Sequence, residues 1–195
     1  GDDGAISWLE KNLSDYDLVV VPDYGNGFIT DRMVDVLCRE SKYLAVNTQL
    51  NSGNQGFHAI TRYNRADFVS LNEPELRLGC HDSGSEITNL AVEMRERLSS
   101  QVLSVTCGPK GLLTVTENDM NKCKSVPALA CNIIDRVGAG DAFLSLASTC
   151  HAAGLESDLA SFVGSVAAAI DVGIVGNSKT VKSIDLYKYI VTLLK

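Results

Sequence analysis

The stretch Asp135-Arg136-Val137-Gly138-Ala139-Gly140-Asp141-Ala142-Phe143 joins three small residues to a carboxylate at the expected start of a helix. A helix beginning near Gly138 presents its first-turn N–H groups and the positive end of its dipole, and Gly138, Ala139 and Gly140 leave room for an anion to reach them. Asp141 sits one step further in. There a carboxylate can accept the proton of an attacking hydroxyl while the N–H groups stabilise a phosphoryl group in transfer. The same residues also suit a plain role, with Asp141 complementing the helix dipole and the glycines forming a tight turn. On these residues alone both readings stand.

Two other stretches carry the same ambiguity. The strand Asp67–Leu71 runs into Asn72-Glu73-Pro74-Glu75, where Asn72 and Glu75 have N-cap and N3 spacing and Pro74 suits a first helical turn. The strands Val102–Thr106 and Leu112–Thr116 flank Cys107-Gly108-Pro109-Lys110-Gly111, which by default is a hairpin turn. A rival motif lies earlier, where the strand Asp17–Val21, expected to be buried, leads through Asp23-Tyr24-Gly25-Asn26-Gly27 into a helix from Thr30 to Arg39 capped by Thr30. Gly25-x-Gly27 suggests a dinucleotide turn, but Thr30 fills the third glycine position and no acid ends the next strand near Val46-Asn47. A nicotinamide site is therefore disfavoured.

The remaining elements must position these groups. Tyr43–Val46 reads as a strand that opens into an amide-rich loop, residues 47–56, on the side where α/β folds place ligands; Asn and Gly are also ordinary turn residues. A short helix is expected over Phe57–Tyr63, and longer ones over Ser85–Ser99, Gly138–His151, Glu156–Asp171 and Ser183–Lys195, with another over Ile6–Lys11. The helix after Gly138 is apolar almost all round, and Arg95, Glu96 and Arg97 fall largely outside the apolar stripe of Ser85–Ser99. Ala160, Val163, Gly164, Ala167 and Ala168 mark a close-packing helix. Alternating strands and helices argue for a three-layer α-β-α fold around a mainly parallel sheet.

Composition narrows the partners. The 195 residues, 45% of them hydrophobic, suffice for one domain spanning 1–195, and a net charge of -7 with scattered Lys and Arg disfavours nucleic-acid and membrane surfaces. A small molecule is the expected partner. Six cysteines without a C-x-x-C pair fit a reducing cytoplasm, and three isolated histidines give no zinc pattern. No stretch reads as a signal peptide, and the most apolar run, Phe162–Gly176, is broken by Ser165 and Asp171.

The Asp135–Phe143 stretch resembles the C-terminal signature of the ribokinase-like (PfkB) carbohydrate kinases, usually Asp-Thr-x-Gly-Ala-Gly-Asp, with Arg136 in place of the Thr. That resemblance implies Asp141 as catalytic base and Gly138, Ala139 and Gly140 as an anion hole for the γ-phosphate of ATP. Asn72-x-x-Glu75 resembles the family's second signature, which implies an indirect role in holding Mg2+, water and nucleotide phosphates. Thr106-x-Gly108-x-Lys110-Gly111 resembles its nucleotide-lining turn, and Asp171–Asn177 the loop that closes over adenine. By the same resemblance Asn177 faces the nucleotide, and Asp135, Val137, Asp171 and Gly176 surround a monovalent cation, K+. Asp23-Tyr24-Gly25-Asn26-Gly27 is similar to the Asp-Tyr-Gly-Lys-Gly loop of heptose-phosphate kinases, with Asn26 in place of the lysine.

The resemblance covers the C-terminal portion of a ribokinase-like domain, so the chain is expected to lack the N-terminal part that carries the first strands and lid. It implies an ATP-dependent kinase acting on a sugar or sugar phosphate, a homodimer, and a parent chain fused to a nucleotidyltransferase domain. The alternative is a non-catalytic nucleotide- or sugar-binding module, for which the Asn26 and Arg136 departures speak and Asp141 speaks against, or an inactive fragment of a larger bifunctional enzyme.

Overall fold

The strands of this chain send apolar side chains to both faces, so the sheet must be covered twice. The computed structural model describes residues 2–54, 56–117, 123–130, 134–135, 137–175 and 178–195. In chain order the elements are α1 (Asp3–Asn12), β1 (Val19–Asp23), α2 (Asp31–Glu40), β2 (Leu44–Thr48), β3 (Phe68–Asn72), α3 (Glu73–Cys80) and α4 (Ile87–Arg97). There follow β4 (Val102–Thr106), β5 (Leu112–Thr116), β6 (Lys124–Val126), α5 (Ala139–Ala152), α6 (Ser157–Asp171) and α7 (Ser183–Leu193). The sheet order is β1-β2-β3-β4-β5-β6, with β1 to β4 parallel and β5 and β6 antiparallel.

Side-chain alternation assigns the faces. Leu44, Val46, Val69, Leu71, Leu103 and Val105 share one core with Leu37 of α2, Leu76 of α3 and Leu90 and Met94 of α4. Ala45, Phe68, Val102 and Leu112 point the other way, onto Phe143, Leu144 and Ala147 of α5. Where α6 crosses the antiparallel strands the contact is polar: Ser104, Thr114 and Ser161 link their hydroxyls in a buried chain with 3.1 Å steps. The result is the expected three-layer α-β-α arrangement around a mainly parallel sheet.

Several local expectations are corrected. The short helix over Phe57–Tyr63 is a single 3-10 turn, Ile60–Arg62. β1, expected to be buried, is only partly so: at the edge of the described sheet Val21 is buried, Val19 and Val20 are half-buried, and Pro22, which lacks an N–H for a ladder, is exposed. α5 is not buried all round, because Ser145, Thr149 and Ala152 face solvent. Arg95 lies inside, 8% exposed, with its guanidinium donating to the Ser100 carbonyl at 3.0 Å; its aliphatic stem covers apolar surface, as long cationic side chains do.

Helices α5 and α6 meet through Gly164. A Cβ there would lie 2.8 Å from Ala147 Cβ and 2.9 Å from the Phe143 ring. Gly164→Val therefore overpacks this contact and should lower stability by about 1–3 kcal/mol, read as a lower urea midpoint with an unchanged slope.

At the far end of α5, His151 Nδ1 and the Tyr43 hydroxyl are 2.7 Å apart, beside the Phe68 ring. Burial lowers the His151 pKa from its ordinary 6.5, against the opposing pull of Glu117 and Glu156. The unfolded chain then binds the extra proton first, so this contribution is complete above about pH 6.5 and is lost as pH falls toward the folded-state value. Urea unfolding across about pH 5 to 7.5 should show stability rising with pH, and His151→Gln should reduce that rise.

Candidate active site

Helix α5 runs against the direction of the parallel strands. Its first turn reaches the loop after β1, where Asp141 meets Tyr24, and its last turn reaches Tyr43, just before β2. The N-terminus of α5 thus stands at the C-terminal edge of the parallel strands, where open α/β sheets bind ligands. Its N-cap is Gly138, with φ 98° and no side-chain capping bond. The N–H groups of Ala139, Gly140 and Asp141 therefore have no acceptor within the helix. Gly140 is exposed, and a Cβ built on it would meet nothing within 4 Å, so the space over this turn is open.

Asp171 ends α6 beside that turn. It is 8% exposed, and its Oδ2 has no hydrogen-bond partner among the described residues. The Ile134 and Asp135 N–H groups both donate to the Val172 carbonyl, at 2.8 and 3.0 Å, which docks the Asp135 segment on the end of α6. Val137 N–H donates to Asp135 Oδ1 at 3.0 Å. Burial raises the Asp171 pKa, and the nearby Asp141 and Asp135 charges add to the rise. An orphaned buried carboxylate oxygen beside like charges is a donor set that a cation relieves. Among the described residues no cluster of three or more His, Cys, Asp or Glu could hold a metal, so such a cation would also need main-chain carbonyls. Gly176, Asn177 and Arg136 lie outside the described residues.

Asn72 and Glu75 form a complete capping box at the start of α3. Asn72 Oδ1 accepts from Glu75 N–H and Glu75 Oε2 from Asn72 N–H, each at 2.8 Å. Glu75 is 5% exposed, and its Oε1 also accepts from Leu50 N–H at 3.1 Å, which ties the loop after β2 to α3. Burial raises its pKa against these lowering bonds. Both of its oxygens thus accept backbone N–H bonds inside the fold. Thr106 sits beside Asn72 across the β3–β4 ladder. The following 3-10 turn, Gly108–Lys110, leads through Gly111 into β5, with Gly108 and Lys110 exposed. Asn72 and Thr106 thus end β3 and β4 at the same carboxyl edge as the first turn of α5, two and three strands from β1.

The loop after β1 holds residues whose roles the sequence did not reveal. Asp23 is 2% exposed and receives Arg62 and the Tyr63 hydroxyl, each at 2.8 Å, on Oδ2. His58 Nε2 lies 2.9 Å from Asp23 Oδ1, off the alignment of a hydrogen bond. Arg62 also donates to the Ile29 carbonyl and to Asp31. The amides expected to face a ligand serve the backbone instead: Asn51 Nδ2 and Asn54 Nδ2 donate to Tyr24 and Gln49 carbonyls at 2.8 and 2.6 Å. Gly25, at φ +67°, passes under Asn54 and His58, where a Cβ would come within 2.7 Å of both. Asn26 is exposed and accepts from Phe28 N–H in its own loop. Thr30 caps α2, accepting from Met33 N–H, which accounts for the residue at the third position of the rival glycine motif.

A carboxylate in an open, glycine-capped helix turn thus stands at the carboxyl edge of the sheet in a three-layer α/β domain. The chain belongs to the pfkB family of carbohydrate kinases, whose model matches residues 26–183. It is 28% identical over 181 residues to the bifunctional protein HldE of Citrifermentans bemidjiense and 26% identical over 186 residues to that of Shewanella amazonensis. These matches cover 90% and 94% of the chain but 36% and 37% of the relatives, so it spans little more than a third of their length. The fold is that of Thermotoga maritima ribokinase, with a TM-score of 0.75 at 20% identity, covering 93% of this chain and 59% of that one. Escherichia coli phosphofructokinase-2 in complex with potassium gives a TM-score of 0.78 at 14% identity, over 99% of this chain and 63% of that one. No described helix is long and apolar enough to cross a membrane.

The capping box yields a direct test. Glu75→Gln sets an amide against a buried N–H and should lower stability by about 1–3 kcal/mol, the cost of an unsatisfied buried group, measured by urea unfolding.

Proposed function

We propose that the protein containing this domain transfers the γ-phosphoryl group of ATP to a hydroxyl of a sugar or sugar phosphate. The observation that carries the reading is the first turn of α5, where Asp141 lies beside N–H groups without helical acceptors, inside the span matched to the pfkB family. The Asp141 carboxylate accepts the proton of the attacking hydroxyl as the oxygen–phosphorus bond forms. The N–H groups of Ala139, Gly140 and Asp141, with the helix dipole behind them, stabilise the charge on the transferred group. Thr106, Gly108, Lys110 and Gly111 hold the nucleotide side, and Asn177 is proposed to complete it.

Magnesium neutralises charge on the nucleotide phosphates in such transfers; here Asn72 and Glu75 would hold it through water. The orphaned Asp171 oxygen beside Asp135 fits a monovalent cation such as K+, with Val137 and Gly176 as the proposed carbonyl donors. The HldE relatives are bifunctional, which supports a parent chain fused to a nucleotidyltransferase domain. A soluble cytoplasmic homodimer is the proposed setting.

The test is ATP-dependent phosphorylation across a panel of sugars and sugar phosphates by the full-length protein and its Asp141→Asn variant. Loss of the base and its charge should reduce kcat by about 10²-fold or more while ATP still binds. ATP binding without turnover on any acceptor would support the non-catalytic module instead.

A further inference from the structure

Tyr24 reaches across the fold to the proposed base. Its hydroxyl donates to Asp141 Oδ2 at 2.5 Å, between residues 117 positions apart in the chain. Among the described residues no other side chain donates to this carboxylate, so Oδ1 is left for an incoming hydroxyl.

The loop that carries Tyr24 is held with unusual thoroughness for a surface segment. The Tyr24 carbonyl accepts from Asn51 at 2.8 Å and from Asn54 at 3.5 Å. On one side of it stands Asp23, buried and bound to Arg62 and Tyr63. On the other stands Gly25, wedged beneath Asn54 and His58. Arg62 then secures the far end of the loop through the Ile29 carbonyl and Asp31. These bonds fix the backbone at Tyr24 from both directions, while the ring itself stays 40% exposed at the rim. The only polar atom the ring offers is engaged by Asp141.

We propose that Tyr24 is a positioning residue: its hydroxyl holds one oxygen of Asp141 and so presents the other to the sugar hydroxyl. This rests on the reading of Asp141 as the base. The chemistry of the pair is suited to that division. The bond to Asp141, with burial added, pushes the Tyr24 phenol up to about 12, so it remains a donor near neutral pH and does not compete for the substrate proton. A carboxylate on a short side chain otherwise rotates about two bonds, and a small misplacement of a reacting group can cost about 10²-fold in rate.

The experiment compares wild type, Tyr24→Phe, Asp141→Asn and the double variant in the full-length protein, with ATP and ribose, fructose 6-phosphate and a heptose phosphate as acceptors. Tyr24→Phe removes one partly exposed oxygen and should leave the melting curve in place. It should lower kcat about tenfold or more while KM for ATP and acceptor stay within about twofold, and the double variant should be no slower than Asp141→Asn alone. Tyr24→Phe with wild-type kcat, beside an inactive Asp141→Asn, would overturn the positioning role and leave the base assignment intact. An Asp141→Asn variant as active as wild type would overturn the base assignment itself. A second measurement needs no acceptor: by NMR of ring-labelled tyrosine, Tyr24 should stay protonated at about pH 11 in wild type and ionise there in Asp141→Asn. Ionisation in both would show that the contact does not form, and would overturn the proposal.

Discussion

One packing constraint governs the fold: a sheet that is apolar on both faces must be covered by helices on each. On the second face that cover is α5 laid against α6, and their separation is set by Gly164 against Phe143 and Ala147. Once α5 is seated on Phe68 and Ala45 it lies against the strand direction, with His151 at one edge of the sheet and Asp141 at the other. Burial of ordinary aliphatic side chains therefore decides where an open helix N-terminus is aimed. The polar chemistry at that terminus is a consequence of the hydrophobic layer beneath it.

A second level of order comes from two buried carboxylates that bind the chain to itself. Glu75 joins α3 to the loop after β2, and Asp23 gathers Arg62, Tyr63 and His58 around the loop after β1. Each is stabilised inside by several N–H or O–H donors, which offset the cost of burying charge. Together they make a rigid frame at the strand ends. Asp141 and Asp171 differ in kind, since one stands at an open turn and the other keeps an oxygen without a partner among the described residues. The contrast separates groups that hold the structure from groups free to meet a ligand or cation.

Much of this frame was legible in the sequence, for reasons of range. Thr30 as a cap and the Asn72–Glu75 box each act within three residues, so spacing alone reveals them. The faces of β2 to β5 follow from alternation, and the small residues of α6 announce close packing. What spacing could not reveal was long-range pairing: Arg62 with Asp23, 39 positions apart, and Tyr24 with Asp141, 117 apart. The amides of Asn51 and Asn54 looked like ligand groups, yet the tight turn around Gly25 recruits them for backbone carbonyls. Arg95 turns inward for a similar reason, because its carbonyl partner at Ser100 lies beyond the end of its own helix. A buried acid closing a strand and followed by Tyr-Gly is the local signal that pointed to this loop without disclosing its contacts.

In the proposed reaction the first turn of α5 receives the phosphoryl group in transfer. The most direct measurement is a crystal structure of the full-length protein with a non-hydrolysable ATP analogue and a sugar acceptor. The terminal phosphate is expected within hydrogen-bonding distance of the Ala139, Gly140 and Asp141 N–H groups, with an acceptor hydroxyl on the Asp141 carboxylate. A terminal phosphate bound elsewhere on the sheet edge, with this turn left to solvent, would contradict it.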